Sequence, residues 1–287
     1  MQPQKVLSLH KELTKKKPDI SYPYMMSLKE DGWYSSIEFI PEKGYQHILS
    51  SAGREIPSLA HTTELFNLSL NFKLPHTIIM ESVIPGIDFH EMNGLFNRTK
   101  NILPLKQTVF KVHDIVFPEK PDLSALERYE LLKTFKSHLE KTGQIILQPL
   151  LGIAHEPNVW FQEANKAWEM GEEGIVLKRI GDIYKPGKRD ASLMKIKLEK
   201  TFDLLCIRMY KTMGEKGNEN LNLDLKNLRG IIVSVRIGKH SDIASFELNS
   251  PVGKVIEIKC MCDLPDGSYR EPRFSRVRFD KKSSDIS

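Results

Sequence analysis

Lys29 sits between an apolar run and an acid-glycine turn, in the stretch YMMSLKEDGWYSS from Tyr24 to Ser36. Asp-Gly between alternating hydrophobic segments is a strong hairpin signal, so one reading of this stretch is a solvated turn. The other is a lysine presented at a strand end to a reacting group. Further along, TIIMESV places Glu81 inside an apolar run, where a carboxylate is costly to bury unless it is paired, hydrogen-bonded or bound to metal. VFKVHDIV interrupts another apolar strand with His113 and Asp114. GEEGIVLK sets Glu173 just before a strand that ends at Lys178. In LMKIK, Lys195 and Lys197 alternate, so both ammonium groups leave one face of a strand.

Singly, each has a structural explanation: Glu81 as an edge-strand residue, His113 as a hydrogen-bonded core histidine, Lys195 and Lys197 as the wet face of a sheet. In this order they meet the needs of nucleotidyl transfer. A neutral amine attacks the α-phosphate of a nucleoside triphosphate, and carboxylates hold a divalent metal that polarises the phosphate and offsets charge on pyrophosphate. Lysines stabilise the charge on the phosphoryl oxygens, and neighbouring cations lower the pKa of the attacking amine.

The elements that must position these residues are legible as short strands rich in Ile, Val and aromatics at 22–28, 33–40, 46–51, 77–84, 108–117, 144–150, 174–180 and 192–198. Helices are expected at 60–72, 124–141 and 158–170; the second opens with Ser124 and Glu127 as a capping box, and the third ends against Gly171. Beyond Lys200 helical periodicity fades. Strands at 201–210, 230–237, 243–248, 254–261 and 273–280 read as a small all-β barrel, interrupted at 211–229 by a Gly/Asn/Lys-rich mobile excursion. The expected organisation is therefore α+β, with a first domain at 1–200 and a second at 201–287. No internal repeat is visible.

With 287 residues, 40% hydrophobic and 28% charged, the composition is that of a soluble globular protein. No apolar run approaches the roughly 20 residues that span a bilayer, and the N-terminal stretch lacks a secretory apolar core; a cytoplasmic protein without a membrane partner is expected. Cys206 stands alone, and Cys260 and Cys262 are too close for a disulfide framework, so all three read as buried structural thiols. A net charge of +5 permits a polyanionic partner. Basic residues concentrate at Lys15–Lys17, Tyr184–Lys200 and Tyr269–Lys282, alternating with apolar ones in the last two.

Those motifs, in that order, resemble the ATP-dependent DNA ligases of the covalent nucleotidyltransferase superfamily. KEDG matches the nucleophile motif and SSAGREIPS is similar to the following segment. IIMES, FKVHDIV, EEGIVLK and LMKIK match the next four, and EPRFSRVRFDK resembles the C-terminal motif, with Arg278, Asp280 and Lys281 as its R-x-D-K. The resemblance runs from Tyr22 to about Lys282 and implies an adenylation domain joined to an OB-fold. It implies Lys29 as the adenylated nucleophile, with Asp31 and Gly32 shaping its turn. Ser27, Leu28 and Lys178 fall at nucleotide-binding positions, with Ser27 at the adenine edge. Glu81 would contact ribose or metal, His113 would stack on adenine, and Glu173 would be a metal carboxylate. Lys195 and Lys197 would hold phosphate, and Arg278 would contact the leaving pyrophosphate.

The family usually has arginine five residues after the nucleophile, where this chain has Tyr34, and Ser-Arg where it has Ser50-Ser51; Arg54 is the candidate replacement. The resemblance thus implies sealing of nicked duplex DNA by a monomer, with ATP and Mg2+ (or Mn2+) as cofactors. An RNA ligase, a capping-type nucleotidyltransferase and a non-catalytic OB-fold nucleic-acid-binding protein are the alternatives.

Overall fold

Runs of β-branched and aromatic residues broken by turn signals make strands outnumber helices along the chain. The computed structural model describes residues 2–69, 73–197, 199–213, 219–238, 240–261, 263–264 and 266–287. The chain divides into two units, Met1–Ile196 and Lys197–Ser287.

The first unit begins with β1 (Leu7–Ser8) and α1 (Leu9–Leu13), followed by β2 (Tyr24–Leu28), β3 (Trp33–Ile40) and β4 (Gly44–Ser50). A 3-10 turn, Pro57–Thr62, runs into α2 (Thr63–Ser69); then come β5 (His76–Val83), α3 (Phe89–Phe96) and β6 (Val109–Val116). After α4 (Ala125–Thr134) and α5 (Lys136–Leu139) come β7 (Ile145–Leu147), β8 (Leu150–Ala154), α6 (Pro157–Glu169), β9 (Gly174–Arg179) and β10 (Leu193–Lys197). These strands make two sheets, ordered β4-β3-β5-β6-β7 and β1-β10-β9-β2-β8.

Each sheet has its own core. Ile37, Ile78, Met80, Phe110, Val112 and Ile145 anchor the first, and β5 is buried along most of its length because β3 and β6 flank it. Trp160, Ala164 and Ala167 form the buried stripe of α6, spaced as one helical face, and Trp160 packs on Tyr22 and Tyr24 with ring centroids 5.0 and 5.3 Å away. Gly171, at φ +84°, ends α6: the Glu172 N–H donates to the Ala167 carbonyl at 2.9 Å and that of Gly171 to Trp168 at 3.0 Å. This stop aims Glu173 at the start of β9.

Several elements depart from expectation. The 144–150 strand is two, because Gln148-Pro149 breaks it and proline has no N–H to give the ladder. The expected 124–141 helix bends at Phe135 into α4 and α5, although the Ser124–Glu127 capping box is present. The helix expected at 60–72 begins as the 3-10 turn at Pro57, and 70–72 lie outside the described residues. Helix α3 was not anticipated, although Asp88 accepts from the Glu91 N–H at its start, a cap written in the sequence as Asp-x-x-Glu.

The second unit contains β11 (Lys200–Met213), β12 (Glu219–Lys226), β13 (Ile232–Ile237), α7 (His240–Leu248), β14 (Val255–Cys260) and β15 (Arg273–Arg278), in one sheet ordered β13-β12-β11-β14-β15. The edge strands β13 and β15 approach within 8 Å, giving an OB-like barrel. It is not all-β: the strand expected at 243–248 is helix α7, which turns Phe246 into the core. Nor is 211–229 an excursion from the barrel. β11 and β12 stay paired out to Met213 and Glu219, and Leu221, Leu223 and Leu225 of β12 fill the core at period two; 214–218 lie outside the described residues. Cys206 and Cys260 are buried, and Cys262 lies outside the described residues. Among the described residues, no helix is long and apolar enough to cross a membrane.

His76 is buried with both ring nitrogens engaged, Nδ1 with the Leu74 carbonyl and Nε2 with the Tyr45 hydroxyl, each at 2.8 Å. A carbonyl only accepts, so Nδ1 carries the proton and Nε2 accepts from Tyr45. Burial lowers its pKa from 6.5 to about 4. A depressed histidine contributes stability above its unfolded pKa that is lost as pH falls through the folded one. Relative to His76→Gln, the wild type should therefore lose on the order of 2–3 kcal/mol of unfolding free energy between pH 6.5 and 4. Urea titrations of both proteins across that range measure it; a constant difference would contradict the assignment.

Candidate active site

The segment KEDG does not close a hairpin. β2 lies in one sheet of the first unit and β3 in the other, so the chain crosses between sheets at this point. Lys29 is held where β2 ends: β2 pairs with β9 through Ser27–Val176 and Leu28–Ile175, and the Lys29 N–H donates to the Gly174 carbonyl at 2.9 Å. That register brings Glu173 beside the lysine, and its carboxylate forms an ion pair with the ammonium. The Glu173 side chain is only 4% exposed, against 22% for Lys29.

Gly32 explains the next step of the chain. A Cβ there would lie 2.8 Å from Val83 Cγ1, 3.0 Å from Glu81 Cβ and 3.2 Å from the Ser82 carbonyl oxygen. Only glycine lets the strand pass so closely over β5. Across the sheet, Tyr34, Glu81 and Lys111 fall in one row of β3, β5 and β6.

These residues surround a cavity of ≈ 260 Å³. Of the predicted positions, Ser27, Leu28, Lys29, Glu81, His113, Lys178 and Lys195 line it, and Glu173 joins them through Lys29. The ammonium groups of Lys29, Lys111, Lys178 and Lys195 suit an anionic ligand. Glu81 Oε2 is buried with no hydrogen-bond partner. Burial pushes the Glu81 carboxyl up to about 8, with Glu173 adding to the shift and Lys29 opposing it. Such a carboxyl is poised to meet a donor or a cation. Among the described residues no group of three or more His, Cys, Asp or Glu side chains is arranged to hold a metal. A divalent ion here would be held by one or two carboxylates and by ligand phosphates, the usual arrangement for Mg2+.

Other placements refine the expectations. The Lys178 ammonium is engaged at 2.8 Å by Asp114 and at 3.0 Å by the His113 carbonyl, so it braces the wall behind His113 as well as lining the cavity. Burial lowers the Lys178 pKa, with Asp114 opposing. Burial would raise that of Asp114, but Lys178 and Arg128 together hold it well below the usual carboxylate range. Burial also lowers His113 to about 4, leaving a neutral ring suited to stacking.

Arg54, the candidate replacement for the missing arginines, is exposed and is not among the residues that line the cavity. Asp31 and Gly32 shape the crossing without lining it. Lys197 belongs to the second unit, 3.9 Å from Glu271. Arg278 also lies there, with its guanidinium 3.2 Å from Asp203, 3.3 Å from Glu257 and 2.7 Å from Asp280.

Sequence reasoning missed Gln4, Lys111, Gln148 and Tyr184, which also line the cavity. Tyr34, noted only as a departure, lines it too, as does Tyr184, whose hydroxyl burial pushes up to about 12. The Tyr184 hydroxyl accepts from the Gln4 N–H at 2.8 Å. Gln148 alone carried a signal, a polar residue before proline inside the apolar run IILQPLL.

A two-sheet unit with a lysine at the end of its inner strand, followed by an OB-like barrel, is the nucleotidyltransferase–ligase fold. Residues 78–197 match the family model of the ATP dependent DNA ligase domain. DNA ligase 4 of Homo sapiens is 29% identical over 120 residues, 39% of this chain and 13% of that protein. DNA ligase 4 of Pongo abelii matches to the same extent, so the match spans only 13% of the length of these curated relatives. A solved structure from work on DNA binding by Lig E DNA ligases shares the fold at TM-score 0.73 and 17% identity, covering 97% of this chain and 99% of that one. The ATP-dependent ligase of bacteriophage T7, solved with ATP, gives TM-score 0.56 and 21% identity over 96% of this chain and 98% of its own.

Asp114 and Arg128 are 4% and 3% exposed, and Arg128 grips the carboxylate at 2.7 and 3.1 Å. Arg128→Ala leaves that buried charge with Lys178 alone. It should cost about 3–5 kcal/mol. A urea unfolding midpoint close to wild type would contradict the role.

Proposed function

We propose that this protein is an ATP-dependent DNA ligase that seals nicks in duplex DNA through a lysyl-AMP intermediate on Lys29. One observation carries the reading: an ammonium group pinned by its own backbone and by Glu173 at the edge of a lysine-lined cavity that also holds Glu81, whose Oε2 has no hydrogen-bond partner. The match of residues 78–197 to the ATP dependent DNA ligase domain supports the choice of nucleotide and substrate.

Lys29 attacks once its amine is neutral, and Glu173, in contact with Nζ, is placed to take the proton. An N–P bond forms to the α-phosphorus while the P–O bond to pyrophosphate breaks. Lys195 stabilises the phosphoryl oxygens and His113 stacks on the base, both from the cavity wall. Glu81, with its open Oε2, would hold ribose or the metal, and a bound Mg2+ or Mn2+ would offset charge on the phosphates. A 5′-phosphate oxygen at the nick then displaces the lysine nitrogen and takes the AMP. The adjacent 3′-hydroxyl attacks that 5′-phosphorus, forming the phosphodiester and releasing AMP. The protein acts as a monomer, and the basic stretches at 184–200 and 269–282 grip the duplex.

Sealing of a 5′-phosphorylated nick, with Mg2+ and either ATP or GTP, on DNA or RNA duplexes, tests the proposal. DNA sealing with ATP is expected, together with its loss in Lys29→Ala. Equal sealing by that variant, or sealing confined to RNA or to GTP, would overturn it. Arg278→Ala should slow formation of enzyme-AMP while sealing a pre-adenylated nick almost normally, a split that a general DNA contact would reverse.

A further inference from the structure

We propose that Gln148 selects the base of the nucleotide, its carboxamide oxygen accepting a hydrogen bond from the exocyclic 6-amino group of adenine. This deepens the reading of the cavity as an ATP site and rests on it.

Gln148 stands at the break between β7 and β8 and is 3% exposed. Three contacts hold it. Its N–H donates to the Val112 carbonyl at 2.8 Å, next to His113 on β6. Its own carbonyl accepts from the Tyr129 hydroxyl at 3.3 Å. Its side-chain Nε2 lies 3.5 Å from the Leu28 carbonyl, the residue just before the nucleophile. The side chain therefore reaches from the His113 wall toward the end of β2, and it lines the cavity.

Which end of the carboxamide faces which neighbour follows from chemistry. The Leu28 carbonyl can only accept, so the nitrogen must serve it, and the oxygen is the atom left over. That oxygen is buried and has no hydrogen-bond partner. A buried acceptor left unpaired is destabilising, and one rigidly placed in a ligand cavity is best accounted for by a donor that arrives with the ligand.

Phosphate oxygens cannot supply that donor. Gln148 and His113, the expected base-stacking residue, both line the cavity, and the Gln148 N–H is bonded to Val112 beside His113, so the open oxygen belongs to the wall where a base would lie. Adenine offers an amino group at C6. Guanine and hypoxanthine put a carbonyl oxygen there, which would meet the Gln148 oxygen acceptor to acceptor. The same contact that binds adenine thus rejects the other purines. Ser27, on the same cavity wall, adds a hydroxyl that donates or accepts and so cannot discriminate by itself.

The test compares binding with base chemistry, using α,β-methylene triphosphates that cannot be cleaved at the reacting bond. Calorimetry with Mg2+ measures the affinity of the full chain for the adenosine compound and for its purine riboside counterpart, which lacks only the 6-amino group. The wild type should prefer adenosine about tenfold or more. In Gln148→Leu the preference should fall to within about twofold, and labelling of Lys29 by inosine triphosphate should rise relative to ATP. A variant that keeps the wild-type preference overturns the assignment. So does a wild type with no preference, a measurement that needs no variant and stands if Gln148→Leu fails to fold. Adenosine preference without any lysyl-AMP would fail the ligase reading and leave the base assignment standing; no nucleotide binding at all would overturn both.

Discussion

The ion pair between Lys29 and Glu173 is the contact on which the geometry of the site depends. A carboxylate removed from solvent as fully as Glu173 loses several kcal/mol of hydration, and an adjacent ammonium offsets that loss. Because the Lys29 N–H is also bonded to Gly174, the backbone ladder between β2 and β9 fixes the lysine's position while the carboxylate fixes its side chain. The stop of α6 at Gly171 delivers Glu173 to this point, and Gly32 lets the chain leave it across β5 beside Glu81. A bulkier residue at position 32 would push against Glu81 and Val83, so the chain that leaves Lys29 can pass this close to Glu81 only with glycine there.

A second charged cluster ties together the two sheets that form the walls. Asp114 comes from β6, Lys178 from β9 and Arg128 from α4, and the three meet with one carboxylate between two cations. Lys178 also bonds the His113 carbonyl, which ties the expected stacking residue to the strand that pairs with β2. Buried networks of this kind are stabilising only when every member is satisfied, and Arg128 completes this one through the Leu123 carbonyl at 2.6 Å.

Part of the cavity lining could be read from sequence because its residues break apolar runs. Lys29, Glu81, His113 and Lys195 each stand in or at the end of a β-strand, and period-two placement turns them toward one cavity. What the sequence could not convey was pairing between distant segments. Gln4 and Tyr184 meet across 180 positions, and no local pattern encodes that contact. Nor could the sequence show that Lys178, which lines the cavity, is also engaged by Asp114, 64 positions away. Leu221, Leu223 and Leu225 did alternate in plain view, but the asparagines and glycines around them weighed toward a loop. Phe246 went unread for the opposite reason: β-branched and aromatic neighbours suggested a strand where a short helix fills the barrel.

In the second unit Arg278 is surrounded by Asp203, Glu257 and Asp280, with Lys281 also on Asp203, so its guanidinium is held in place by carboxylates of its own barrel. The proposed chemistry nevertheless converges on a single nitrogen in the first unit. Peptide mapping by tandem mass spectrometry, after incubation with ATP and Mg2+ and digestion under conditions that preserve phosphoramidates, tests that convergence most directly. AMP should be found on the peptide bearing Lys29, at its Nζ. An adenylate on Lys111, Lys178 or Lys195 instead, or an unmodified Lys29, would contradict it.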